Sequence, residues 1–427
     1  MEIGTLGHFT FAADALSIYF ATFGAVIWVG VTIYSLARGA SRSFLIPSAG
    51  AFVAVMGIFF AGDLLTLFLF FEALALLGFL LVRLGDGARA ASIRYFWTML
   101  MGGLVLLAGI LTGEILLLLL GFGVKAGMLP VHGWLPAAHG KAPPAASALL
   151  SGVIIKTGIY GIIRIDPGSA LLVLGLGGAV YGAALALVQT NAKRLLAWSS
   201  VSQVGVLLVG VWAGSLGHIA THAWAKALLF MAVGAVLHRT GTVQLDKLGG
   251  LWRSMPVTFG LAVLGGSALI GLPVLRSSAG KSEIHHAMEG IPELLFFVAS
   301  AGTVAVVLRL VAGIFLGRRR EGREASMGML AGMAVVALPL VLPAVPHDLF
   351  YFGMTVAAGT VLFLVTRRWV PSSRTIPMPT ISIPDLPRLR IPMPDAGPGI
   401  DRYTRETGAN LALIFAILLV ALVLLHV

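Results

Sequence analysis

The chain has 427 residues, of which 58% are apolar and only 11% charged, a composition far too apolar for a water-soluble domain. It contains no cysteine, which excludes disulfides, thiolate-held iron–sulfur clusters and thiol catalysis. The formal charge of +11 is scattered through short loops, as at an anionic membrane surface, and is not gathered into a patch for nucleic acid.

A helix needs roughly 20 apolar residues to cross a bilayer, and the sequence offers about fourteen such runs. The N-terminal stretch lacks a basic n-region and a small-residue cleavage site, so it reads as a retained helix and not a signal peptide. In chain order the predicted spans are 13–36, 44–61, 64–84, 94–112, 114–130, 145–164, 169–190, 195–214, 217–238, 256–275, 291–316, 326–346, 348–367 and 409–427. With the N-terminus outside, the alternate loops collect Arg38 and Arg42; Arg83, Arg89 and Arg94; Lys141; Lys193 and Arg194; Arg239, Lys247 and Arg253; and Arg318, Arg319, Arg320 and Arg323. The outside connections hold little more than Arg164. That asymmetry follows the positive-inside rule and predicts an even number of helices with both termini outside.

Two predicted spans are broken. The fifth ends in Met128-Leu-Pro130 and continues through Trp134-Leu-Pro136, while the tenth carries Gly271-Leu-Pro273 and then Arg276 and Lys281. Proline removes a helical hydrogen bond, and in lipid the freed carbonyls need protein or water as partners. Two such breaks five spans apart predict an inverted repeat of five-helix units with a site at each break. Residues 371–408 contain Ile376-Pro-Met-Pro379, Ile383-Pro-Asp-Leu-Pro387 and Ile391-Pro-Met-Pro394. They predict an extended strap along the inner face, able to reach on the order of 100 Å at ~3.1 Å per residue. The predicted organisation is 1–62, N-terminal helices; 63–164, first repeat; 165–320, second repeat; 321–368, two further helices; 369–408, the strap; and 409–427, a terminal anchor helix.

Removing the loops leaves a short set of charges inside the spans: Glu72, Lys125, Lys156, His218, His222, Lys226, Lys281, Glu283 and Arg309. A lysine at mid-bilayer costs about 2.5–3.5 kcal/mol, so charges kept there point to moving protons or ions. Glu72, alone in DLLTLFLFFEALALLGFLL, calls for a cationic partner, and a lysine from another helix is the natural one. His218, His222 and Lys226 recur at i, i+4 and i+8 on one helix face, the pattern of a relay. The same histidine pair suits zinc by spacing, but no third ligand follows and Lys226 repels a cation. His132 and His139 flank prolines between the fifth and sixth spans and fit either a supporting place beside the relay or simple loop packing. Arg309 reads as an anchor to a neighbouring helix. No metal or cofactor motif is predicted.

These stretches resemble the antiporter-like membrane subunits shared by respiratory complex I (the NADH-quinone oxidoreductase L, M and N type), Mrp-type sodium/proton antiporters and membrane-bound energy-converting hydrogenases. The likeness runs from Asp14-Ala-Leu-Ser17 to about Glu283. DLLTLFLFFE resembles the segment with the family's essential glutamate, which falls on Glu72; VKAGMLPVHGWLPAAHGKAP resembles the broken-helix motif, with its lysine at Lys125; SALLSGVIIKTGIYGIIR places the next lysine at Lys156. HIATHAWAKALLF matches the relay with His218, His222 and Lys226, and the second broken helix puts the terminal charge at Lys281. The chain departs from the pattern in three places: the two helices that usually precede the Asp-x-Leu-Ser stretch are absent, Ala137 stands where an acidic residue commonly follows Trp-Leu-Pro, and Arg276 and Ser277 intrude before Lys281. The wording is closest to the hydrogenase and formate-hydrogenlyase branch, or the M-type subunit. The resemblance implies a proton-translocating subunit, with Na+ the other candidate ion, inside a redox-driven complex whose electrons and metals belong to partner subunits. The alternatives are a stand-alone secondary antiporter and a scaffold subunit without transport.

Overall fold

The computed structural model describes residues 2–6, 9–273, 275, 277–317, 322–341 and 349–369. The predicted strap beyond Trp369, the terminal helix 409–427 and Arg276 lie outside the described residues. The described chain opens with a small hairpin, β1 (Glu2–Leu6) and β2 (Phe9–Ala12), paired antiparallel. It is a short addition, unforeseen in the sequence, to a chain that is otherwise helical. The stretch is too short for a span, and its alternating side chains give it a place to pack: Phe9 and Phe11 sit with ring centroids 6.1 Å from Phe70, and Thr10 donates its hydroxyl to Asp63.

The helices follow as α1 (Ala15–Ala37), α2 (Arg42–Phe59), α3 (Leu64–Arg83), α4 (Arg89–Thr112), α5 (Ile115–Ala126), α6 (Trp134–Lys141), α7 (Pro144–Leu149), a π turn (Leu150–Ile154), α8 (Ile155–Ile165), α9 (Ala170–Leu187), α10 (Ala192–Trp212) and α11 (Gly217–Thr240). After them come α12 (Pro256–Ile270), α13 (Ser277–His286), α14 (Ile291–Phe315), α15 (Met327–Ala337) and α16 (Leu349–Trp369). Among the described residues ten helices, counting α7 to α8 as one, are long and apolar enough to cross a membrane, and α5, α12 and α15 with the turn after it are shorter apolar helices. Every predicted span within the described residues falls on one of these. Large apolar residues such as Ile18, Val29, Leu36, Ile46 and Val53 are exposed on their outer faces, as lipid-facing side chains are.

The two breaks share one local chemistry. α5 ends at Gly127 with φ 74° and α12 at Gly271 with φ 86°, left-handed positions that glycine takes without the Cβ penalty. Leu129-Pro130 and Leu272-Pro273 then bar the helix from continuing. The turn expected after Pro130 instead forms helix α6 from Trp134. Pro136 is accepted there because it sits in the first turn, where its missing N–H has no intrahelical partner to lose.

Packing follows the same order twice: α2 on α3, α3 on α4, α4 on α5 and α5 on α8, then α9 on α10, α10 on α11, α11 on α12 and α12 on α14. The middle of the bundle is α11 and the α7–α8 segment, each 94% buried, with α10 at 89%; α16, at 17%, lies on the outside.

The helix ends are capped by side chains. Asp14, Asp63, Asn191 and Ser326 accept from the backbone of α1, α3, α10 and α15. At the start of α12, Glu324 accepts from Val257 N at 2.8 Å, Thr258 N at 3.3 Å and Thr258 Oγ1 at 2.5 Å. Arg164 ties α8 to α1 through a two-pronged bond to Asp14, 2.6 and 2.9 Å, and also donates to Tyr160 OH at 2.7 Å. Arg309 fulfils its expected anchoring place, donating from Nε and Nη2 to the Gln189 carbonyl at 3.3 Å.

Candidate functional site

Apolar spans bury whatever polar side chains they carry, and here the buried amines and imidazoles concentrate in the central helices. Lys125, Lys156, Lys226, His139, His218 and His222 are all 1% exposed or less, and Lys281 is 6%. Close helix approach brings some of the helices that carry them into backbone contact. A Cβ at Gly158 of α8 would stand 2.5 Å from Ala126 N and Phe122 O of α5, so α8 meets α5 backbone to backbone and Lys156 stands on a neighbour of the Lys125 helix.

Lys125, in the last turn of α5, donates to the Phe71 carbonyl at 2.8 Å and sits 4.0 Å above the Phe71 ring, a cation–π contact. Glu72 is the next residue. Its Oε1 is buried without a hydrogen-bond partner, and it lies within electrostatic range of Lys125 and Tyr95. A lysine from another helix thus stands near Glu72, and its ammonium is held by the carbonyl and ring of Phe71, one residue short of the carboxylate. Space for that carboxylate comes from Gly103 on α4, whose Cβ would stand 2.2 Å from Glu72 Oε1.

Lys156 is served by the π turn that precedes it. In that turn Ile155 N bonds to Leu150 O, one residue further back than in an α-helix, which leaves the Ser151 carbonyl without its usual donor. Lys156 Nζ donates to that carbonyl. Ser151 Oγ meets Ser200 Oγ at 3.0 Å, and Ser200 Oγ donates to Leu196 O at 3.0 Å. From the other side Lys226 of α11 donates to the same Leu196 carbonyl at 3.0 Å and to Ser199 Oγ. Lys226 is thus seated on α10 and Lys156 on the π turn that touches α10 through Ser151 and Ser200, and the charge of Lys226 reaches Lys156.

Along α11, His222 has both ring nitrogens buried without partners, and its ring centroid lies 6.2 Å from that of His218. His218 Nε2 lies 2.9 Å from Gln203 Oε1. The charges of Lys156, Lys226 and Lys281 all act on His222. Lys281, on α13 after the second break, donates weakly to Ile270 O at 3.4 Å. A Cβ at Gly280 would stand 2.5 Å from His218 N, so α13 is seated against the first turn of α11. Glu283 is exposed and accepts from Ser215 Oγ at 2.6 Å, at the margin of the row.

The two supporting histidines part company. His139 stacks on Phe230 with centroids 4.9 Å apart, has both nitrogens buried without partners, and is reached by the charges of Lys193, Lys226 and Lys156. It belongs with the central cluster. His132 packs against the edges of Tyr181 and Trp198, each 5.5 Å away, and is a packing residue of the break. Sequence reasoning missed Ser151, Ser199, Ser200, Gln203 and Thr303. The signal was present in Trp198-Ser-Ser-Val-Ser-Gln203, four polar residues within a span. Among the described residues no cluster of three metal-binding side chains occurs.

Comparison with known proteins places this arrangement. The family model for the transmembrane region of NADH:quinone oxidoreductase and Mrp antiporter subunits matches residues 110–309. NADH-quinone oxidoreductase subunit M of Pseudomonas aeruginosa is 31% identical over 344 residues, 67% of each chain. Hydrogenase-4 component B of Escherichia coli is 33% identical over 236 residues, 48% of this chain and 35% of the relative. The chain spans less than half the length of that relative and of formate hydrogenlyase subunit 3 from the same organism. The fold matches a chain of the archaeal membrane-bound sulfane sulfur reductase with a TM-score of 0.74 at 23% identity, covering 93% of this chain and 79% of that one. It matches a chain of respiratory complex I from Thermus thermophilus with a TM-score of 0.73 at 24% identity, covering 85% and 89%. The chain belongs to the antiporter-like membrane subunit family of NADH:quinone oxidoreductases, membrane-bound hydrogenases and Mrp antiporters.

Proposed function

We propose that this chain translocates protons as one subunit of a redox-driven complex in a prokaryotic plasma membrane, with its redox centres on neighbouring subunits. The observation that carries the reading is the approach of two buried amines: Lys226 is bonded to Leu196 O and Ser199 Oγ on α10, Lys156 is bonded to Ser151 O beside the Ser151–Ser200 hydroxyl contact, and the charge of Lys226 reaches Lys156. Two amines a few bonds apart cannot both stay charged at low cost in an apolar interior. One proton shared between them moves when a neighbouring charge changes. Glu72 and Lys125 supply such a charge in the first repeat, and His218, His222 and Lys281 continue the row in the second. Each elementary charge moved against 100 mV requires about 2.3 kcal/mol, within reach of rearranged contacts among these groups. Protons are the cargo favoured by the donors, since amines and imidazoles bind H+ and repel Na+. Charge asymmetry in the loops orients the chain with its N-terminus outside and the Lys/Arg-rich connections, including the Pro-rich strap, inside.

The test uses the intact assembly reconstituted in vesicles, with internal pH followed during electron transfer. Glu72→Ala and Lys125→Ala are expected to lower the number of protons moved per electron pair while the assembly still forms. An undiminished proton count in both variants overturns the proposal.

A further inference from the structure

Gln203 is fully buried in α10, and both ends of its amide are engaged. Its Nε2 donates to Thr303 Oγ1 at 3.0 Å. Thr303 Oγ1 in turn donates to the Ala299 carbonyl one turn earlier on α14, also at 3.0 Å. A hydroxyl has a single proton. With that proton committed to Ala299, Thr303 faces Gln203 only as an acceptor, and the amide is held with its nitrogen toward α14 and its oxygen toward α11. That oxygen is 2.9 Å from His218 Nε2. A carbonyl oxygen accepts and never donates, so Nε2 carries the hydrogen, and neutral His218 presents Nδ1 as its lone-pair nitrogen. Nδ1 is buried and has no partner.

We propose that Gln203 is a positioning residue that locks His218 in the Nε2–H tautomer and so makes it a one-ended proton carrier. The inference rests on the transport reading above and refines it at one residue. An imidazole relays by gaining a proton at one nitrogen and losing the proton of the other. At His218 a proton arriving at Nδ1 forms the imidazolium. The Nε2 proton faces an amide oxygen too weakly basic to take it, and the chain beyond, Thr303 to Ala299, ends on a backbone carbonyl. The same Nδ1–H bond therefore breaks when the ring returns to neutral. Protons are taken and returned at Nδ1 alone, and none passes through the ring toward α14. In this arrangement α10 and α14 form a proton-tight wall behind His218, and traffic is confined to the side reached from Nδ1.

The test is the tautomer itself. The full-length chain, with histidines labelled in 15N, is purified in its native assembly, and the His218 signals are identified by their loss in His218→Asn. The wild type is expected to show a protonated Nε2 and an unprotonated Nδ1. Thr303→Val keeps the side-chain shape and leaves His218 untouched, yet it frees the amide to turn, so mixed tautomers are expected. Gln203→Leu is expected to mix them as well, and Gln203→Glu, which keeps an acceptor, to retain Nε2–H. A wild-type His218 protonated at Nδ1, or a tautomer unchanged in both Thr303→Val and Gln203→Leu, overturns the proposal. Proton movement by the same wild-type assembly is read separately: its absence removes the carrier role and the transport reading while leaving the tautomer lock in place.

Discussion

Gly280→Ala offers a test of how α13 is seated. The added Cβ would stand 2.5 Å from His218 N, 3.0 Å from Gly217 C and 3.2 Å from His218 Cα. All three are backbone atoms, so no side chain can swing aside. Ordinary contact begins at 3.4 Å, and α13 must move by about 0.9 Å from the first turn of α11 to reach it. Overpacking of this kind costs about 1–3 kcal/mol. The functional effect is larger, because α13 carries Lys281. A displacement near 1 Å of a group that must meet a partner lowers rates on the order of 10²-fold. The facing position supplies the control: a Cβ at Gly217 meets only Gly280 Cα at 3.6 Å and N at 3.8 Å, so Gly217→Ala is expected to behave as wild type. The assay is proton translocation by the reconstituted assembly, normalised to the amount of this chain in the membrane. Normal assembly with undiminished translocation in Gly280→Ala would refute the reasoning that α13 delivers Lys281 to the His218 end of the row.

Lys156→Met and Lys226→Met are each expected to lower proton translocation on the order of 10²-fold, and the double variant to be little worse than either, because the two buried amines act on one another as a pair; losses that multiply would contradict this. Asp14 is held well below the usual carboxylate range, chiefly by its hydrogen bonds from Arg164. A depressed carboxyl stabilises the fold above its unfolded value of about 3.9, and the stabilisation fades as pH falls below it. Asp14→Asn keeps a capping side chain, so it is expected to melt at lower temperature than wild type at pH 7, by an amount corresponding to about 1 kcal/mol or less for a half-exposed pair, and the gap should narrow only as pH falls below about 3.9 toward the lower folded value; a gap that stays constant as pH falls below that value would argue against the ion pair. Glu324→Ala strips the start of α12 of its carboxylate partner and is expected to cost about 1–2 kcal/mol, read as a lower melting temperature in detergent; an unchanged melt would show that the cap is idle.

The membrane helices were legible because hydropathy marks them without help from tertiary structure. α3 shows this: Asp63 caps it, an apolar run follows and Arg83 ends it. Both breaks were legible for the same reason, since Gly127 with Pro130 and Gly271 with Pro273 are local chemistry. The buried lysines and histidines stood out by their insertion cost, and the structure gathers most of them near the bundle centre. What spacing cannot supply is the distance between helices. A lysine from another helix was expected to partner Glu72, yet Phe71 takes the Lys125 ammonium first. Small polar residues were invisible for another reason: Ser199, Ser200 and Thr303 bond to backbone carbonyls and Ser151 to Ser200 Oγ inside a helix bundle at little cost, so they barely lower the hydropathy of a span. Gln203 was missed because its meaning depends on Thr303, a hundred residues away. The N-terminal hairpin was missed because its stability comes from Phe70 and Asp63 and not from its own sequence.

The central claim is that the buried amines and imidazoles form one continuous polar row. The most direct measurement is an experimental structure of the purified assembly, at a resolution that reveals ordered water, around Lys125, Lys156, His222 and Lys281. The account predicts water bridging the gaps between these side chains and occupying the unpartnered nitrogens of His139 and His222. A dry, close-packed apolar barrier between Lys125 and Lys156, or between Lys226 and Lys281, would contradict it.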